Sequence, residues 1–83
     1  MTKKEKALLR LRQNPKNVRF DNIDLVLEYF GFERRQPGGG SSHYFYRYKQ
    51  YRITIARHIP FIHSDAVKDV LRVIDEILNE DAD

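Results

Sequence analysis

Apolar positions recur along this chain in two rhythms, and the switch between them divides it. Ala7, Leu8 and Leu11 fall on one side of a short helix, and Ile23, Val26, Leu27 and Phe30 repeat at i, i+3, i+4 and i+7, the spacing of an amphipathic helix. Val67, Val70, Leu71, Ile74, Ile77 and Leu78 carry the same period through three turns, the most sustained periodic signal present. Between the second and third of these stretches the period falls toward two. Phe32 to Gln36, Ser42 to Tyr48 and Tyr51 to Arg57 read as strands, with Lys49-Gln50 as a tight hairpin turn.

Boundary residues sharpen these elements. Thr2 and Glu5 have the spacing of a capping box, and Asn14-Pro15 ends the first helix. Asp21 is expected to cap the second helix, with Phe20 and Leu25 placed for a hydrophobic staple and Gly31 as a left-handed stop. Ser64 is expected to cap the last helix, and Glu80 to Asp83 reads as a solvated acidic tail. The carboxylates Asp21 and Asp24 complement the helix dipole and read as structural. The predicted order is helix, helix, three antiparallel strands, helix, with the helices on one sheet face: an α+β layer structure. Its last five elements give α-β-β-β-α, the topology of double-stranded-RNA-binding domains. Residues 1–83 are expected to form one domain.

Alternation along the second strand separates His43, Phe45 and Arg47 from Tyr44, Tyr46 and Tyr48. With aromatics on both sides the parity is ambiguous; the expectation is Phe45 inward, with His43 at the strand mouth. In the third strand Ile53, Ile55 and Arg57 part from Arg52, Thr54, Ala56 and His58, and the isoleucines must face the core.

Charge changes the picture more than composition does. The net charge of +3 hides a segmented chain: residues 1–20 carry seven Lys/Arg and one acid, and 21–33 four acids and no base. Residues 34–64 then carry six Lys/Arg and no acid, and 65–83 two bases and seven acids. A 31-residue interval without a carboxylate concentrates positive potential, so a polyanion is the natural partner. With no cysteine, disulfides and thiolate zinc sites are excluded. No apolar run approaches the roughly 18 residues of a membrane span, and Met1 to Glu5 lacks signal-peptide character, which predicts a cytoplasmic protein.

Candidate chemistry gathers where the glycine-rich stretch Gly38-Gly39-Gly40-Ser41-Ser42 runs into His43-Tyr44-Phe45-Tyr46-Arg47. Metal-free RNA cleavage needs a base for the 2′-hydroxyl proton, charge stabilisation at the phosphate and an acid for the leaving oxygen. Imidazole suits such transfers because it titrates near cellular pH, and general acid–base catalysis contributes on the order of 10²- to 10⁴-fold. His43 is the candidate base. Arg47, Arg52 and Arg57 are candidates for phosphate contacts, Tyr44 or Tyr46 for stacking on an unpaired base, and the glycines for close backbone approach to phosphate. His58 reads either as an acid or phosphate contact or as an ordinary strand-end residue, and His63 as structural. The three histidines match no metal-ligand spacing.

The cationic first strand, the run Gly-Gly-Gly-Ser-Ser-His-Tyr-Phe-Tyr-Arg at 38–47, and Arg-Ile-Thr-Ile-Ala-Arg-His at 52–58 before a closing helix resemble the HicA family of toxin–antitoxin mRNA interferases. The resemblance spans residues 18–80; the helix within 1–15 is additional to the shortest members. Ser41 stands where many members have glycine and Ala56 where they usually have proline. The resemblance implies a double-stranded-RNA-binding-like fold and a metal-independent endoribonuclease that needs no cofactor and acts on mRNA. It implies a monomer when free and a hetero-oligomer when inhibited by a HicB-type antitoxin. It places the catalytic histidine at His43, with Gly39, Gly40, Ser41, Ser42, Tyr44, Tyr46, Arg47, Arg52, Arg57 and His58 as the RNA-binding set. A non-catalytic RNA-binding module on the same surface is the alternative.

Overall fold

A computed structural model of the chain describes residues 2–35, 42–57 and 59–81. Its elements run α1 (Lys3–Gln13), α2 (Phe20–Tyr29), β1 (Glu33–Arg35), β2 (His43–Tyr48), β3 (Tyr51–Ala56) and α3 (Ser64–Asp81). The three strands form one antiparallel sheet in the order β1-β2-β3, so β2 is central. The expected α+β class is the observed one.

Each helix is held by identifiable contacts. Thr2 Oγ1 accepts from the Glu5 amide at 3.1 Å and donates to Glu5 Oε1 at 3.3 Å, which fixes the start of α1. Leu11 is the buried anchor of α1, which packs on α2, and Arg12 pairs with Asp75 of α3. The start of α2 differs from expectation. Its N-cap is Arg19, which makes no side-chain capping bond, and Asp21 lies inside the first turn. Phe20 is drawn into the helix because its ring packs on Tyr44, centroids 4.7 Å apart, whereas the expected staple partner Leu25 stays exposed.

The end of α2 sets where the sheet begins. Gly31, at φ +93°, donates to the Glu28 carbonyl at 3.0 Å, and Phe32 donates to the Leu27 carbonyl at 3.0 Å. These two bonds are a Schellman motif, with Leu27 and Phe32 both buried beside it. A methyl group on Gly31 would lie 3.0 Å from Tyr48 Cε1. Helix end, β1 and β2 are thereby locked together.

The last helix also differs in detail. The His63 carbonyl accepts from the Ala66 and Val67 amides, so His63 rather than Ser64 occupies the cap position. Val73 joins Val67, Val70, Ile74 and Ile77 in the core while Leu78 is exposed. The helix continues through Glu80 and Asp81, with residues 82–83 of the expected acidic tail outside the described residues, and Gln50 of the hairpin turn donates to Glu80 at 3.2 Å. Within that turn Lys49 takes φ +52°, the left-handed conformation common in two-residue hairpins.

The core lies between the helices and one face of the sheet, and that face is not the expected one on β2. Tyr44 and Tyr46 are buried with Ile53 and Ile55, while Phe45 is 45% exposed. Alternation explains the choice, because a strand turns over as a whole. Burying Phe45 would carry Arg47 inward with it, and an unpaired buried guanidinium costs far more than a satisfied hydroxyl. Tyr46 satisfies its hydroxyl by donating to Asp24 Oδ1 of α2 at 2.7 Å.

Candidate nucleic-acid interface

The register of the two strand pairs builds the outer sheet face as three rows. Arg35, Phe45 and Thr54 lie side by side across β1, β2 and β3, and Glu33, Arg47 and Arg52 form the adjoining row. On the other side of Phe45 stands His43, with Ala56 as its partner on β3. His43, Phe45, Arg47, Arg52, Thr54, Glu33 and Arg35 are all exposed. The aromatic ring therefore sits at the centre of an open face, with an imidazole along the strand in one direction, two arginines in the other and a third beside it. Among the described residues Arg35, Arg47 and Arg52 take part in no ion pair. Arg47 and Arg52 are direct cross-strand neighbours, a like-charge pairing that is unfavourable by itself, and Glu33 stands opposite Arg47 on β1.

The sheet end fixes the position of His43. The Arg57 amide donates to the Ser42 carbonyl at 2.9 Å, which extends the β2–β3 ladder one step past His43. The imidazole thus stands on a hydrogen-bonded strand. Ser42 is exposed beside it.

The structure redistributes the RNA-binding residues expected from sequence. It brings His43, Arg47 and Arg52 onto one face, adjacent to Ser42. It separates Arg57 from them, since that guanidinium lies 5.3 Å from the centroid of the Phe20 ring, on the helix side of the same sheet end. Tyr44 and Tyr46 are removed as stacking platforms because both are core residues. Gly39, Gly40, Ser41 and His58 lie outside the described residues.

Two residues of the region have contacts that local sequence patterns do not announce. Arg35 borders Phe45 on the open face; β1 is only three residues long, too short for alternation to announce itself. Asp24 fastens the opposite face: its carboxylate accepts from Tyr46 and, at 3.2 Å, from Arg34 Nη1. Burial, and then the bond to Asp24 and its negative charge, push the Tyr46 hydroxyl well above the usual tyrosine range. The same carboxylate raises the Arg34 pKa, and Arg34, the cross-strand partner of the buried Tyr46, lies on the helix side of the sheet and not on the open face.

Among the described residues no group of three or more His, Cys, Asp or Glu is placed to hold a metal ion, and no helix is long and apolar enough to cross a membrane. No family model, no curated protein and no solved structure matches the chain.

Proposed function

We propose that this chain is a HicA-type mRNA interferase, a metal-independent endoribonuclease that uses His43 and is held inactive by a HicB-type antitoxin. The observation that carries the proposal is an exposed imidazole at the end of the central strand, on a sheet face that also displays three arginines without ion-pair partners among the described residues. The resemblance of residues 38–58 to the family supports the same reading.

The chemistry follows from that placement. His43 accepts the proton of a ribose 2′-hydroxyl, and the resulting oxygen attacks the adjacent phosphorus. The bond from phosphorus to the 5′-oxygen breaks, leaving a cyclic phosphate, and the departing oxygen takes a proton from solvent. Arg35 is a diagonal cross-strand neighbour of His43, roughly 7–8 Å away between backbones, within reach of a long side chain aimed at a shared phosphate. A guanidinium in that position stabilises the charge that accumulates in the transition state.

Incubating purified protein with single-stranded RNA tests the proposal. The parent is expected to cleave, and His43→Ala to cleave at least about 100-fold more slowly with an unchanged melting temperature. Equal rates for the two proteins would remove His43 from the chemistry. Salt-sensitive binding with no cleavage by the parent favours the non-catalytic RNA-binding module, a reading that the exposed Phe45 and its arginine neighbours also support.

A further inference from the structure

We infer that Phe45 is a stacking platform for one unpaired RNA base, and that the open face therefore takes single-stranded rather than duplex RNA. The inference deepens the proposed function and rests on it only for the identity of His43 as the reacting group. Phe45 is the sole phenylalanine, tyrosine or tryptophan on the described part of this face, it is 45% exposed, and it is surrounded on the sheet by Arg35, His43, Arg47 and Thr54. An isolated exposed phenylalanine is ordinary on a protein surface. A phenylalanine centred among three arginines is a different object, because apolar surface and positive charge together match a nucleotide, which offers a flat base and a phosphate.

Geometry selects the single strand. In a duplex the faces of the bases are covered by their neighbours and the A-form grooves expose only edges, hydroxyls and phosphates, so a ring standing on a sheet has nothing to stack on. An unpaired base lies flat on such a ring, and the exchange tolerates any base because each has a π-face. His43 and Phe45 are two residues apart on one strand, about 6.8 Å. A base stacked on Phe45 thus has its own sugar within one nucleotide's reach of the imidazole. Arg47 and Arg52, on the far side of the ring, are placed for the next phosphate along the strand. Positive charge without a stacking surface would bind either form of RNA; the ring supplies the discrimination.

The test uses the full 83-residue chain carrying His43→Ala, to prevent cleavage. Affinities are measured for a random-sequence single-stranded 12-mer RNA and for a 12-base-pair RNA duplex. Adding Phe45→Ala is expected to weaken single-strand binding by about 10- to 100-fold and to leave duplex binding within twofold, while Phe45→Trp retains single-strand affinity. Equal losses on both RNAs, no loss on either, or failure of Trp to substitute would overturn the inference. Absence of RNA binding at low salt would also overturn it, in favour of a protein-binding face. The nuclease reading is judged separately by the cleavage rate of the parent. A parent that does not cleave but shows the Phe45 dependence keeps the stacking site and loses the chemistry; a parent that cleaves while Phe45→Ala binds normally does the reverse.

Discussion

The two faces of this three-stranded sheet are built from similar side chains and do opposite things. On the inner face Tyr44 and Tyr46 lie beside Ile55 and Ile53, closed over by helices. On the outer face Phe45, a more apolar residue than either tyrosine, stands in solvent between histidine and arginine. The difference teaches that hydrophobicity of a single residue does not decide which way a strand turns. The decision belongs to the whole alternating set, and here the cost of enclosing Arg47 outweighs the loss of Phe45 from the core. The tyrosines accept the inner position because Asp24 meets the hydroxyl of Tyr46.

The contrast can be broken most severely from within. Ile55→Ala, at a fully buried position, is expected to cost about 2–5 kcal/mol, against less than about 1 kcal/mol for Phe45→Ala one row away. Urea titrations of both variants measure the difference directly, and comparable losses would mean that the outer face is covered in solution. Next in size is Gly31→Ala. A side chain there must hold φ near +93° and meet Tyr48, which predicts a loss of about 1–2 kcal/mol in the same titration, with no selective effect on RNA affinity.

An effect of similar size can be followed through pH. Tyr46→Phe removes one charge-assisted hydrogen bond and is expected to cost about 1–2 kcal/mol at neutral pH. Because folding raises the pKa of Tyr46, its contribution is complete below the unfolded value, about 10, and is lost as pH rises beyond it. The unfolded chain then releases a proton that the folded chain keeps. Stability measured from pH 8 to 11 should therefore fall more steeply for the parent than for Tyr46→Phe, by at most about 1.4 kcal/mol per pH unit. Parallel curves would place the hydroxyl in water.

Much of the framework was legible because it depends on neighbours in the chain. The Thr2–Glu5 cap, the Gly31 stop and the apolar stripe of α3 are local patterns, and each is found where spacing puts it. The N-cap of α2 lies two residues before the expected cap because the aromatic partner that pulls Phe20 into the helix, Tyr44, is 24 positions away and invisible to a local rule. Asp24 was read as a dipole complement for the same reason; its partners Arg34 and Tyr46 lie 10 and 22 residues downstream. For the candidate site, alternation correctly grouped His43 with Arg47, and Arg52 apart from Arg57. It could not orient β2, since both of its faces carry aromatics, and the tyrosines expected to stack are core residues while Phe45 is the exposed aromatic of the strand.

Placing β2 in the middle of the sheet has a consequence for how such a chain can diverge. Odd-numbered positions of this ribbon meet solvent and even-numbered positions meet the helices, so the two sets can be exchanged residue by residue with little interference. Length is another matter. Deleting one residue between His43 and Tyr48 would deliver arginine to the interior and tyrosine to the outside in a single step, so that variation in this ribbon is confined to replacement.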